Sequence, residues 1–170
     1  MATTLSLIST VTVGGAGATE LDFSSIPATY TDLYMVTSLR DNMGGLMYNA
    51  AVKFNTNTTS GGRRMYGDGS NTAATSNSDT DGWVMLTNGT TSTGNTFSVT
   101  SLYFPNYAGS NLKNFTIDSV SENNGSTSYV FVCNALWSST AAINRLTLYS
   151  TTAGTFQQYS SASLYGITKF

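Results

Sequence analysis

Tyr129-Val130-Phe131-Val132-Cys133-Asn134-Ala135 places apolar side chains at consecutive positions. In an extended chain Tyr129, Phe131 and Cys133 share one face, with Val130 and Val132 on the other. The run therefore reads as a central strand buried on both faces. Leu112, Phe115, Ile117 and Val120 mark a second run just upstream. Helical periodicity is almost absent. Short runs rich in Val, Ile, Thr, Tyr and Phe recur at 5–13, 20–23, 32–39, 49–54, 82–86, 96–104, 143–149 and 163–169, each at strand length. Between them stand turn signals such as Gly14-Gly15, Gly44-Gly45, Gly61-Gly62, Asp81-Gly82, Asn88-Gly89 and Asn124-Gly125, where Gly and Asn accept positive φ at little cost. The pattern predicts an all-β protein of about ten strands, folded as a single jelly-roll-like β-sandwich domain over residues 1–170. Segment 55–81 is poor in apolar residues apart from Met65 and Tyr66. It is expected to form long exposed loops flanking one short strand.

The balance of charge narrows the function. Charged residues make up 9% of the 170, against about a quarter in ordinary soluble domains, and the net charge is −2. Ser and Thr supply roughly thirty per cent, so hydroxyls and amides are expected to solvate the surface. A chain with so little charge lacks the repulsion that keeps monomers apart, which points to a surface covered in an assembly. Seven Lys plus Arg provide no basic face for phosphates, so nucleic acid is not an expected partner. No run approaches the length of a membrane span, and the N-terminus carries no secretory pattern, so no membrane association is expected.

The search for chemistry is short. The chain has no His, which removes Ser-His-Asp and Cys-His mechanisms and the commonest metal ligand. The lone Cys133 sits in an apolar run and reads as a small buried hydrophobe. Nine acids are available for glycoside hydrolysis, chiefly Asp22, Asp32, Asp41, Asp118, Glu20 and Glu122, and none is set apart by its context. Asp79-Thr80-Asp81-Gly82 is a fragment of a calcium loop, more simply read as a turn. No catalytic residue, cofactor or metal is expected. Among ten Tyr, eight Phe and two Trp, Tyr48, Tyr66, Trp83 and Tyr107 fall near polar or glycine-containing stretches, which makes them candidates for contact with a partner or a glycan.

Several stretches are familiar together. Phe23-Ser24-Ser25-Ile26-Pro27-Ala28-Thr29-Tyr30-Thr31-Asp32-Leu33 with Ser38-Leu39-Arg40, then Phe104-Pro105-Asn106-Tyr107-Ala108-Gly109-Ser110 with Lys113, then Leu136-Trp137-Ser138-Ser139-Thr140-Ala141-Ala142-Ile143, and finally Ser163-Leu164-Tyr165-Gly166-Ile167 resemble, in the same order, signatures of small β-rich structural proteins of tailed bacteriophages. The resemblance spans nearly the whole chain. It implies a β-sandwich on the outer surface of a virion, either a capsid decoration or cement protein or a module associated with the tail and its fibres. The first role implies a homotrimer bound to other virion proteins such as the major capsid protein; the second implies binding of host surface glycans. The resemblance carries no catalytic motif.

Overall fold

Alternation of buried and exposed side chains runs through most extended segments and sorts them into two sheets. The computed structural model describes residues 4–56, 60–69, 75–79, 85–125 and 127–169. Twelve strands lie among them: β1 (Thr4–Thr12), β2 (Glu20–Phe23), β3 (Asp32–Leu39), β4 (Met47–Phe54), β5 (Ser60–Gly67), β6 (Thr75–Asp79), β7 (Met85–Asn88), β8 (Ser98–Pro105), β9 (Lys113–Ser121), β10 (Tyr129–Trp137), β11 (Leu146–Ser150) and β12 (Ser161–Thr168). Eight form a sheet in the order β1-β12-β3-β8-β9-β10-β5-β6, and four form a second in the order β2-β11-β4-β7. The protein is an all-β sandwich. Its described residues form twelve strands, against about ten expected from the sequence.

Two expectations need correction. Segment 55–81 contributes two strands rather than one short strand between loops: β5 pairs along its whole length with β10, and β6 pairs back onto β5. Backbone pairing recruits β5 without an apolar period, and Gly62 permits the close approach. A Cβ there would lie 2.1 Å from the Asn134 carbonyl oxygen. β10 is also buried on one face only. Phe131, Cys133 and Ala135 point into the core, while Val130 and Val132 are 49% and 51% exposed, because the four-stranded sheet covers the other side. The 82–86 run is described only from Met85, where β7 begins.

The two sheets are joined in two chemically different ways. At one end Phe54 of β4 inserts its ring among three aromatics of the larger sheet. It stands 5.9 Å from Phe104 edge-on, 5.0 Å from Phe115 and 5.3 Å, stacked, from Trp137. At the other end hydroxyls take over. The Leu86 N–H of β7 donates to Ser119 Oγ at 2.9 Å, Ser98 Oγ donates to the Leu86 carbonyl at 2.5 Å, and Thr100 and Ser119 share a 2.6 Å hydrogen bond. Ser98, Thr100, Ser119 and Ser121 are all buried. These hydroxyls therefore satisfy the interior rather than wetting the surface.

The stretches that carried the resemblance meet near one another in space. Tyr107 is fully buried and donates its hydroxyl to the Pro27 carbonyl, while the Ile143 N–H donates to the Tyr107 carbonyl at 3.0 Å. Lys113 is 2% exposed and donates to the carbonyls of Gly109, at 2.7 Å, and Asn111; burial lowers its pKa below the ordinary lysine value. Gly166 leaves room for the Tyr30 ring, since a Cβ there would lie 2.2 Å from the Tyr30 Cγ. These are scaffold roles. Phe54→Ala removes the ring on which three others converge and should cost about 3–5 kcal/mol of unfolding free energy, read by chemical denaturation; a loss below 1 kcal/mol would show that the aromatic contact does not hold the sheets together.

Candidate interaction surface

The four-stranded sheet covers one side of the eight-stranded sheet, and the strand register fixes what faces out on the other. Side chains directly opposite each other in an antiparallel pair point the same way. Val99, Val120 and Val130 are thus direct neighbours across β8, β9 and β10. In the next row Val132 lies between Asp118 and Met65, and Val36 between Ser101 and Ser163. In the row beyond, Tyr103, Tyr34 and Tyr165 stand side by side on β8, β3 and β12, with Leu7 of β1 next to Tyr165.

The face gathers most of the exposed apolar side chains of the described residues. Leu5, Leu7, Val36, Met65, Val99, Val120, Val130 and Val132 lie on it, whereas Leu46, Leu112 and Tyr159 lie elsewhere. Over β1, β12, β3, β8, β9, β10 and β5 its outward side chains include three charged groups: Arg63, Asp118 and, at the margin, Asp32. A cavity of about 450 Å³ opens on it between Arg63, Met65, Thr116, Asp118, Val132 and Asn134. A contiguous apolar and hydroxyl-bearing surface of this extent is characteristic of a site of association.

The tyrosine row is anchored at its edge. Asp32 is 1% exposed; its Oδ2 accepts the Tyr103 hydroxyl at 2.7 Å and pairs with Lys169 Nζ, while its Oδ1 accepts the Asn106 N–H at 2.9 Å. Burial works to raise the Asp32 pKa, but the Lys169, Asn106 and Tyr103 donors together outweigh it and hold the carboxyl below the usual range. The same hydrogen bond pushes the Tyr103 phenol up, with desolvation in support. The contact also ties the C-terminal strand to the sheet.

The aromatic residues singled out in the sequence do not converge here. Tyr107 offers nothing to a ligand because it is fully buried. Tyr66 faces inward, its ring 5.5 Å from Phe131. Tyr48 is half-buried, its ring close against Gly45. Trp83 lies outside the described residues, as do Thr80, Asp81 and Gly82 of the calcium-loop fragment. The tyrosines that do share a face are Tyr34, Tyr103 and Tyr165; each alternates with buried neighbours, but their adjacency depends on strand order and has no local signal in the sequence. The acids serve local roles: Asp22 accepts from Arg145 and Thr147 at 2.6 Å each, Glu20 pairs with Lys53 at 2.5 Å, and Asp41 and Glu122 accept backbone N–H groups two residues on. Cys133 is buried.

A second, smaller concavity of about 290 Å³ lies at the loop end of the sandwich between Arg40, Asn95, Phe97, Gln157, Gln158 and Tyr159. Arg40 is 6% exposed and donates to the carbonyls of Thr93 (3.0 Å), Thr96 (2.8 Å) and Ser92 (3.2 Å), which pins that loop to the sheet. Burial lowers its pKa. Tyr159, 69% exposed, holds a φ of 72°, a conformation costly for a bulky side chain.

No known family model matches this sequence, and no curated protein matches it either.

Because the Asp32 pKa is lower in the folded chain than in the unfolded one, the unfolded state binds more protons on acidification. The stability Asp32 contributes is complete above the unfolded value near 3.8 and is lost as pH falls below it; Asp22, also lowered, acts in the same direction. Asp32→Asn should therefore lower stability at neutral pH by about 1–3 kcal/mol and flatten the stability profile below about pH 4. An unaltered acid limb, followed by thermal melts across pH, would remove Asp32 from this role.

Proposed function

We propose that this chain is a non-enzymatic structural protein of a bacteriophage particle, positioned on its outer surface as a capsid decoration or cement protein that stabilises the head through subunit contacts. The observation that carries the reading is the outward face of the eight-stranded sheet, apolar and hydroxyl-bearing across seven strands with three charged side chains. Such a face is costly to leave in water and well suited to burial against other subunits of a shell. The resemblance of the chain to tailed-phage structural proteins supplies the setting, with the major capsid protein and further copies of the chain as partners. No catalytic group, cofactor, nucleic acid or membrane enters this reading.

One observation favours a tail-associated module binding host surface glycans. The concavity beside Arg40 combines the exposed ring of Tyr159 with the side chains of Asn95, Gln157 and Gln158, and aromatic faces with amides suit sugars. At about 290 Å³ it is smaller than the cavity of about 450 Å³ on the sheet face, so it stands second.

Copy number and position separate the two. Quantitative mass spectrometry of purified particles, with cryo-electron microscopy, should find the chain in hundreds of copies on the head. A few dozen or fewer at the tail would overturn the cement role in favour of the glycan reading.

A further inference from the structure

We propose that the outward face of the eight-stranded sheet is the contact between two copies of this chain, stacked face to face about a two-fold axis. The proposal rests on the assembly reading above and names the partner that covers the face.

The first argument is size. Seven strands of eight or nine residues, about 4.8 Å apart and rising about 3.3 Å per residue, give a face of roughly 700 Å². A stable interface of standard size buries about 800 Å² on each partner. The face is therefore close to what one copy must contribute to a pair.

The second argument is charge. In the interior of the face stand one cation, Arg63, and one anion, Asp118, both lining the same cavity. Asp32, at the margin, is already paired with Lys169. A basic or acidic partner would find no complementary field here. An identical face meets no net repulsion, because each copy brings one charge of each sign.

The third argument is relief. Val99, Val120, Val130, Val132 and Val36 stand among Ser38, Ser101 and Ser163, all short side chains, and Met65, the long apolar side chain of these rows, lies at their β5 end. Two such faces approach to the usual sheet spacing of about 10 Å, crossed at the roughly 30° that strand twist imposes.

Symmetry follows from the same facts. One continuous face that covers its own copy forms an isologous contact, which closes as a dimer. A ring of three needs two different complementary patches on each chain. The face therefore favours a two-fold pair in place of the homotrimer expected from the resemblance.

Size-exclusion chromatography with light scattering on the full chain tests this directly. At about 100 μM the wild-type chain should have twice its 18.0 kDa mass, and Val120→Lys/Val132→Lys should have the mass of one chain with an unchanged circular dichroism spectrum. Val99→Lys, at a side chain 55% exposed, provides the same test if the double variant fails to fold. A wild-type mass of one chain or of three, or a folded lysine variant that remains paired, would overturn the proposal. The outcome is separable from the virion reading: a monomer found in hundreds of copies on heads defeats only the pairing, and a dimer absent from particles defeats only the location.

Discussion

Phe54 sits where three rings of the opposite sheet converge, and the layout of the sandwich depends on that contact. Leu21, Phe23, Val52, Leu146 and Leu148 of the four-stranded sheet are buried on the same face as Phe54, whose ring lies within 6 Å of Phe104, Phe115 and Trp137. Rings in offset and edge-on arrangements add to the burial of their area, so this cluster gives the smaller sheet a fixed position over β8, β9 and β10. At the far end of the same strands the sheets meet through Ser98, Ser119 and the backbone of Leu86. Once the smaller sheet is held on that side, the other side of the larger one faces outward, and the alternation along each strand decides what it displays.

The low charge of the chain acquires a physical meaning from this geometry. Hydroxyls serve in two places. Inside, they replace apolar contacts as hydrogen-bonded links between sheets; outside, they stand between valines on a face that a soluble monomer would ordinarily cover with Lys and Glu. The two buried cations follow the same economy of charge. Lys113 and Arg40 bind backbone carbonyls rather than carboxylates, and each fastens a loop to the end of a strand.

How much of this was legible in the sequence depended on whether a feature is local. β2 and β3 fall at the predicted limits because alternation and flanking turns define them without reference to partners. β5 was read as a short strand at most, because its sequence, Ser60 to Gly67 with three glycines, has no apolar period; only the proximity of β10 recruits it. Val130 and Val132 read as core in the sequence, because an apolar run does not reveal whether a second layer covers it. The same limit applies to the candidate surface. Tyr34, Tyr103 and Tyr165 are far apart in the chain and become neighbours only through the order β8-β3-β12, whereas Tyr107, near glycine and asparagine, is the most deeply buried tyrosine among the described residues.

The account turns on whether the outward face of the large sheet is covered when the protein works. Hydroxyl-radical footprinting of the assembled particle against the dissociated chain reads this at side-chain resolution, because Met65 is 57% exposed and Tyr34, Tyr103 and Tyr165 are partly exposed on that face. Strong protection of Met65 and the three tyrosines in the assembled state, with Tyr159 reacting equally in both, is the result the account requires. Equal labelling of Met65 and the tyrosine row in the two states would contradict it.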